Sequence, residues 1–169
     1  MTSPMPEPSR SEEGRSLVEK IISGAQTGAD RAGLDAALAL GLEVGGTVPK
    51  GRRTEEGPLT DEQMARYCLE ESSDVDYRGR TKDNVTASDG TAIFGHVNSP
   101  GSQLTVKFCA FYRRPYVLNP NASWLREWTA ENEIRTLNIA GNRESGNPGI
   151  YERVLRIVME ALGGPDAGA

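Results

Sequence analysis

The residues best suited to bind an anion lie in the segment Ser23-Gly-Ala-Gln-Thr-Gly28, between a short apolar stretch and an alanine-rich one. We predict a strand before this segment and a helix after it, so that backbone N–H groups and the positive end of the helix point at one place. Gly24 and Gly28 permit tight turns and close approach by a ligand, and Asp30 is a suitable N-cap. The spacing matches neither GxGxxG nor GxxxxGKS/T, so the segment alone is as compatible with an ordinary βα turn as with a phosphate site.

Two more polar loops follow predicted strands. Residues 95–105 follow the apolar run 92–94 and open a helix, and residues 140–149 follow the run 137–139 and precede another helix. Two helix N-termini that face each other could hold a phosphorylated ligand between them. The only histidine, His96, lies in the first of these loops; a binding or acid/base role and a structural or exposed position both stay open.

Another candidate is the loop at residues 49–58, which is rich in Gly, Pro and charge. It follows the predicted second strand, and open α/β sheets bind ligands at that edge, so Lys50, Arg52 and Arg53 are placed to meet an anion. Seven of the nineteen Lys and Arg residues lie between positions 50 and 82, which in an acidic chain favours a local anion pocket. A solvated basic turn is the alternative.

The elements that must position these loops alternate along the chain. Apolar runs predict strands near residues 18–22, 42–48, 92–94, 116–118 and 137–139, and apolar periodicity predicts helices at 30–40, after 101, at 124–132 and at 150–162. A short helix is predicted within 59–71, whereas the polar residues 77–91 are compatible with turns or with a binding loop. The first strand–helix–strand unit predicts parallel strands. The fold class is therefore α/β, with a mostly parallel sheet of about five strands.

Composition restricts the classes of function. The chain has 169 residues and a net charge of −5, which argues against a general nucleic-acid or membrane-surface binder. No apolar run could span a bilayer and none forms a signal-peptide core, so we predict a cytoplasmic protein with no nucleic-acid or membrane partner. Cys68 and Cys109 have no CxxC partner, so no metal site is predicted. We predict one domain at 17–163, a disordered tail at 1–16 and a frayed tail at 164–169.

Five segments together resemble the putative molybdenum carrier family, which is also described as the circularly permuted YpsA-like branch of the SLOG Rossmannoid superfamily. They are Ser23-Gly-Ala-Gln-Thr-Gly-Ala-Asp-Arg31, Pro49-Lys-Gly-Arg52, Arg80-Thr-x-x-Asn84-Val-x-x-Ser88-Asp-Gly-Thr91, Gly101-Ser-x-Leu-Thr105, and Asn138-x-Ala-Gly-x-Arg143 with Pro148-Gly-Ile-Tyr-Glu152. The resemblance runs in order from about Val18 to Leu162. It implies a Rossmann-like three-layer α/β sandwich, a ligand site at the carboxyl edge of the sheet, and a homo-oligomer, either a dimer or a tetramer.

The resemblance also implies classes of ligand. Relatives include carriers of the molybdenum cofactor, proteins that sense nucleotides, and phosphoribohydrolases that cleave the base from cytokinin nucleotides. We therefore expect a small anionic or phosphorylated ligand: the molybdenum cofactor, molybdate or a nucleotide. The predicted ligand-binding residues are Ser23, Gly24, Ala25, Gln26, Thr27, Gly28, Asp30, Arg31, Lys50, Gly51, Arg52, Arg80, Thr81, Asn84, Ser88, Asp89, Gly101, Ser102, Gln103, Thr105, Gly141 and Arg143.

One departure from the family pattern bears on catalysis. The phosphoribohydrolases carry a glutamate shortly after the glycine-threonine turn, whereas here Thr105 is followed by Val-Lys-Phe108. A carboxylate from another loop, at Asp30, Asp89 or Glu144, is the remaining source of a general acid or base. A binding protein is therefore the first hypothesis, and an N-glycosidic hydrolase or a nucleotide-sensing regulatory protein is the alternative.

Overall fold

The structure, a computed structural model, describes residues 16–164, which form alternating strands and helices. The predicted tails, 1–16 and 164–169, lie outside the described residues apart from Ser16 and Gly164. The strands are β1 (Lys20–Ile22), β2 (Glu43–Val48), β3 (Leu69–Glu71), β4 (Gly90–Phe94), β5 (Tyr116–Leu118) and β6 (Thr136–Gly141). The α-helices are α1 (Ala29–Ala39), α2 (Asp61–Arg66), α3 (Tyr77–Thr86), α4 (Pro100–Phe111), α5 (Ala122–Glu131) and α6 (Ile150–Leu162), and Glu144–Gly146 forms a 3₁₀ turn.

The strands form one sheet in the order β3-β2-β1-β6-β4-β5, and every neighbouring pair is parallel. In the register, Ile21 of β1 lies between Val44 of β2 and Leu137 of β6. Helices α1, α5 and α6 pack together, and α3 packs on α4 against the sheet. The predicted Rossmann-like three-layer α/β fold is confirmed, with six strands rather than about five.

The core forms between the sheet and its helices. All five residues of β4 are buried, as expected for a parallel strand covered on both faces. Helix α1 approaches the sheet closely because its inner face carries Ala and Gly: a Cβ added at Gly33 would lie 2.7 Å from the Cβ of Ile139 on β6. This close contact fixes α1 against β6, and with it the position of the loop that leads into the helix.

The segment 59–71, within which a short helix is predicted, contains helix α2 followed by an edge strand. A capping box between Thr60 and Gln63 marks the start of α2. Cys68 has φ 51°, in the left-handed region, so the backbone leaves the helical conformation there. Residues Leu69–Glu71 then pair with Gly46–Val48 of β2. The short helix is present as α2, but strand β3 was not predicted, because it is set by pairing with an existing strand and not by local periodicity.

The segment before β4, compatible with turns from its sequence, contains helix α3. The Asp76 side chain caps it by accepting a hydrogen bond from the Arg78 N–H, and Asn84 and Val85 are its buried residues. Such a narrow apolar face gives almost no periodic signal. No helix within residues 16–164 is long and apolar enough to cross a bilayer.

Candidate functional site

A cleft of about 620 Å³ opens at the carboxyl edge of the sheet, where β1, β4 and β6 end. Helices α3 and α4 form its walls, and the loops that follow β1 and β6 contribute the rest of its lining. Along the chain, β1, β2 and β3 extend the sheet in one direction from β6, and β4 and β5 extend it in the other. The cleft therefore lies where the winding of the sheet changes direction, which is the usual ligand position in open α/β folds.

Helix α3 places the guanidinium of Arg80 in this cleft. The side chain is only 16% exposed, and its Nη1 lies 3.4 Å from Oδ2 of Asp30. The buried Nε has no hydrogen-bond partner among the described residues. The guanidinium also lies over the Tyr77 ring, 5.2 Å from its centroid. The Nε of Arg31, outside the cleft lining, is unpaired in the same way, so the terminal N–H groups of Arg80 are the ones that matter for a ligand. Their only hydrogen bond among the described residues is the long contact to Asp30, which leaves donors available toward the cleft.

Asp30 is the carboxylate that faces Arg80. Its side chain is 8% exposed. Burial raises the pKa of Asp30 above its ordinary value, although the positive charge of Arg80 opposes the shift. Because Asp30 and Arg80 share only one long contact, each charge is only partly neutralised by the other. An anionic ligand could therefore bind the Arg80 guanidinium in place of Asp30. The pKa of Asp30 would then rise further, because Asp30 would lose part of its stabilising partner.

Two glycines shape the loop between β1 and α1. A Cβ at Gly24 would lie 1.4 Å from Nη1 of Arg80, so the guanidinium can occupy its position only because residue 24 has no side chain. Gly28 has φ 81°, and a Cβ there would lie 2.4 Å from the carbonyl oxygen of Asn142. That carbonyl accepts a hydrogen bond from the Ala29 N–H. The first glycine thus makes room for Arg80, and the second lets the loops after β1 and β6 touch.

The N-terminus of α4 forms the opposite wall of the cleft. Ser99 caps this helix by accepting a hydrogen bond from the Ser102 N–H, and Pro100 begins it. A side chain at Gly101 would meet nothing within 4 Å, so the first turn is open toward the cleft. Asn142 fixes the turn, since its amide donates to the Ser99 hydroxyl and accepts from the His96 N–H. The positive end of the helix dipole therefore faces the same space as Arg80.

Half of the predicted site residues line the cleft. They are Gly24, Gln26, Asp30, Arg80, Thr81, Asn84, Gly101, Ser102, Thr105, Gly141 and Arg143. The others lie outside its lining: Ser23, Ala25, Thr27, Gly28, Arg31, Lys50, Gly51, Arg52, Ser88, Asp89 and Gln103. Among the residues in the lining, Asn84 serves the scaffold, because its amide bonds the backbone N–H and carbonyl of Thr47 on β2.

The basic loop at residues 49–58 is held beside the cleft by its acidic residues. The Glu55 carboxylate accepts hydrogen bonds from the hydroxyls of Thr27 and Ser145 and from the Ser145 N–H. These bonds, the Ser145 hydroxyl first, hold the pKa of Glu55 below its ordinary value. Arg52 forms ion pairs with Asp61 and Glu71, away from the cleft lining. The loop therefore ties the ends of β1 and β6 together.

Only one of the three candidate acid/base carboxylates faces the cleft. Asp89 accepts from the N–H groups of Arg135 and Thr136, where it holds the start of β6. Glu144 accepts from the N–H groups of Gly149 and Tyr151 at the start of α6. Asp30 is thus the only one of the three that lines the cleft.

Several residues that line the cleft were not predicted from the sequence as site residues. Tyr77 belongs to a helix that has almost no periodic signal, and Ser99 was part of a predicted loop without being singled out. Asn142 is the most consequential omission, because it connects the loops after β4 and β6. Its position directly after Gly141, at the end of a buried strand, was the available signal. His96, whose role was left open, lines the cleft.

The strand order also contains a permutation. If β6 and α6 were moved to the front of the chain and the strands renumbered, the order would read 4-3-2-1-5-6, with two halves growing outward from the first strand. A family model described as "Circularly permutated YpsA SLOG family" matches residues 21–162. The chain belongs to the circularly permutated YpsA SLOG family.

Known proteins of similar sequence and shape agree with this assignment. A crystal structure named "Putative molybdenum carrier protein", from Syntrophus aciditrophicus SB, is 38% identical in sequence and superimposes with a TM-score of 0.80. The similarity covers 89% of this chain and 98% of that one. No curated protein matches the sequence significantly. As a SLOG family member, the protein thus shares its fold with a molybdenum carrier candidate over nearly the whole of the latter's length.

Proposed function

We propose that this SLOG family protein is a carrier that binds a phosphorylated nucleotide-like or pterin-like ligand, or molybdate, in the cleft and releases it unchanged. The Arg80 guanidinium, which lines the cleft and makes a single 3.4 Å hydrogen bond within the described residues, is the observation that carries the proposal. A guanidinium with unused donors is suited to a phosphate or another planar or tetrahedral oxyanion. A volume of about 620 Å³ also falls within the range of small-molecule sites.

The charges around the cleft favour an anion with an attached ring system. Arg80 and Arg143 line the cleft together with the open first turn of α4, and Asp30 is its acidic residue. The anionic group would engage Arg80 and the α4 N-terminus. Leu104 and the Tyr77 ring offer apolar surface for the rest of the ligand. Phosphate binding would then supply affinity, and this surface would supply selectivity.

Molybdenum would be held here as cargo through its oxygen atoms or through a pterin phosphate. Within residues 16–164 there is no group of three or more His, Cys, Asp or Glu side chains that could hold a bare metal ion. The donors in the lining include the guanidinium groups of Arg80 and Arg143 and the backbone N–H of Gly101 at the start of α4. This set suits molybdate or a phosphate and does not suit direct coordination of the metal.

A thermal-shift panel tests the proposal. Wild-type protein, Arg80→Met and the matched control Arg156→Met would each be heated with AMP, GMP, NAD, a pterin phosphate and molybdate. A ligand at a hundred times its dissociation constant stabilises the folded state by about 2.7 kcal/mol. We expect at least one ligand to raise the Tm of wild type and of Arg156→Met, but not of Arg80→Met. Equal shifts in all three proteins would place the binding elsewhere.

Asp30 supports a second candidate, an N-glycosidic hydrolase acting on a nucleoside monophosphate. A buried carboxyl group with a raised pKa, in the lining of the cleft, is suited to act as a general acid or base. Chromatography of reactions with AMP and GMP would show free base and ribose 5-phosphate if this candidate is correct. The release should then fall at least 100-fold in Asp30→Asn. Intact nucleotides after prolonged incubation would exclude it.

A further inference from the structure

A second, more apolar groove of about 550 Å³ lies between α3 and α4. Its apolar lining consists of Leu104, Phe108 and Phe111 from α4 and of Tyr112, which follows the helix directly. Phe111 is 77% exposed, the highest value among the exposed large apolar side chains of the described residues. Leu104 lines this groove and the cleft alike, so the two spaces are adjacent.

The aromatic side chains of the groove form a preorganised cluster. The Phe111 ring meets the Tyr112 ring edge-on, with centroids 4.9 Å apart, and Phe108 stacks on Tyr112 with centroids 6.3 Å apart. Rings held against one another lose little conformational entropy when they are covered by a partner. Exposed aromatic side chains of this kind are the usual anchors of protein interfaces.

The rim of the groove is exclusively basic. Arg78, Lys82 and Lys107 line it, and its lining contains no acidic residue. The Lys82 ammonium lies over the Tyr112 ring, 6.0 Å from its centroid. None of these cations forms an ion pair with another residue in the described part of the chain. In a protein of net charge −5, this local concentration of positive charge stands out.

We propose that this groove docks an acidic peptide segment, with an apolar or aromatic anchor, of the protein that exchanges ligand with the cleft. The apolar lining takes the anchor, and the cations complement flanking Asp and Glu side chains. A two-fold-related second copy fits less well, because its own three cations would face the same three cations. Single-stranded nucleic acid fits less well too, because Phe108 and Tyr112 are partly covered and stack on each other instead of offering free faces.

The position of the groove next to the cleft suits a partner that exchanges ligand with this protein. Arg80, in the cleft, lies on the same helix as Arg78 and Lys82 of the groove rim. A partner bound in the groove would therefore sit beside the cleft, within reach of a ligand that passes between the two proteins. This role rests on the proposed function, but the docking itself does not, since peptide binding can be measured without any small ligand.

Selection from a display library of random 12-residue peptides, with the full chain as bait, tests the docking surface. We expect the enriched peptides to carry Asp or Glu around an apolar anchor. Their affinities, measured by fluorescence anisotropy with labelled synthetic copies, should fall at least tenfold in Phe111→Ser and in the double variant Lys82→Glu/Lys107→Glu. The control Trp124→Ser removes a 47% exposed ring that lies outside the groove, and it should bind like wild type.

Several results would overturn the proposal. Enriched peptides without acidic residues, or peptides that bind Phe111→Ser as tightly as wild type, would show that the groove is not the docking site. Failure to enrich any peptide would do the same. Light scattering would measure the oligomeric state of wild type and of Phe111→Ser. A wild-type oligomer that Phe111→Ser converts to monomer would identify the groove as a contact between copies of this chain. Binding of a labelled oligonucleotide in preference to the peptides would assign it to nucleic acid.

Discussion

The replacement Gly24→Ala should weaken ligand binding without unfolding the protein. The new Cβ would lie 1.4 Å from Nη1 of Arg80, and ordinary contact begins at 3.4 Å, so the guanidinium must move by 3.4 − 1.4 = 2.0 Å. A shift of that size breaks a hydrogen bond, because such bonds weaken steeply beyond their normal length. Gly24 does not have a positive φ, so alanine can adopt its backbone conformation.

The expected loss follows from the strength of a charge-assisted hydrogen bond. Such a bond contributes about 1.5–3 kcal/mol, which corresponds to a dissociation constant roughly 10- to 150-fold higher. Isothermal titration calorimetry with the ligand that stabilises wild type most would measure it. Urea unfolding should show a much smaller change, because the clash falls on the far end of a flexible side chain. Gly164→Ala, where the added Cβ meets nothing within 4 Å, is the control. Unchanged affinity in Gly24→Ala would refute the assignment of Arg80 as a ligand contact.

Three further predictions concern protonation, packing and the loop. An anion that takes over Arg80 raises the pKa of Asp30 further, so binding takes up a proton and affinity should increase as pH falls toward the raised pKa; calorimetry in buffers of different ionisation enthalpy would detect the uptake, which Asp30→Asn should abolish. Gly33→Val places a Cβ 2.7 Å from that of Ile139 and should lower the free energy of unfolding by about 1–3 kcal/mol in urea titrations, whereas an unchanged value would mean that α1 can retreat freely. The pKa of Glu55 is depressed in the folded state, so its stabilising contribution is present above the ordinary pKa of 4.5 and lost as pH falls through the folded value. Proteolysis within residues 49–58 should therefore increase in acid for wild type and at all pH values for Glu55→Gln, and equal cleavage of the two proteins at neutral pH would contradict this role.

The strand–helix alternation was predictable because most elements carry strong local signals. Residues 92–94 of β4 form a continuous apolar run, and α6 carries apolar residues at helical spacing from Ile150 to Leu162. Strand β3 was not predicted and the segment that forms α3 was left open; in both places long-range contacts decide the structure. Strand β3 exists because it pairs with β2, and α3 is held to the sheet through the amide of Asn84. Neither contact leaves a periodic pattern in the sequence.

The loops that form the candidate site could be predicted from the sequence, but the contacts between their residues could not. The glycines at positions 24 and 28, and the arginine at position 80, were identified from the sequence. Arg80 packs so closely on Gly24 that residue 24 can have no side chain, yet the two residues are 56 positions apart in the sequence (80 − 24 = 56). No local sequence pattern reveals this contact. Similarly, Arg52 forms ion pairs with Asp61 and Glu71 and is not free to bind an anionic ligand, which only the geometry of the loop shows.

Native mass spectrometry of wild type, Arg80→Met and Arg156→Met tests the central claim most directly. Each protein would be incubated with AMP, a pterin phosphate or molybdate and sprayed under non-denaturing conditions. The account predicts that at least one ligand adds to wild type and to Arg156→Met with one molecule per chain and an unchanged mass, and that Arg80→Met loses the adduct. Adducts of equal abundance on Arg80→Met, or no adduct on wild type with any of the ligands, would contradict an anion-binding cleft built around Arg80.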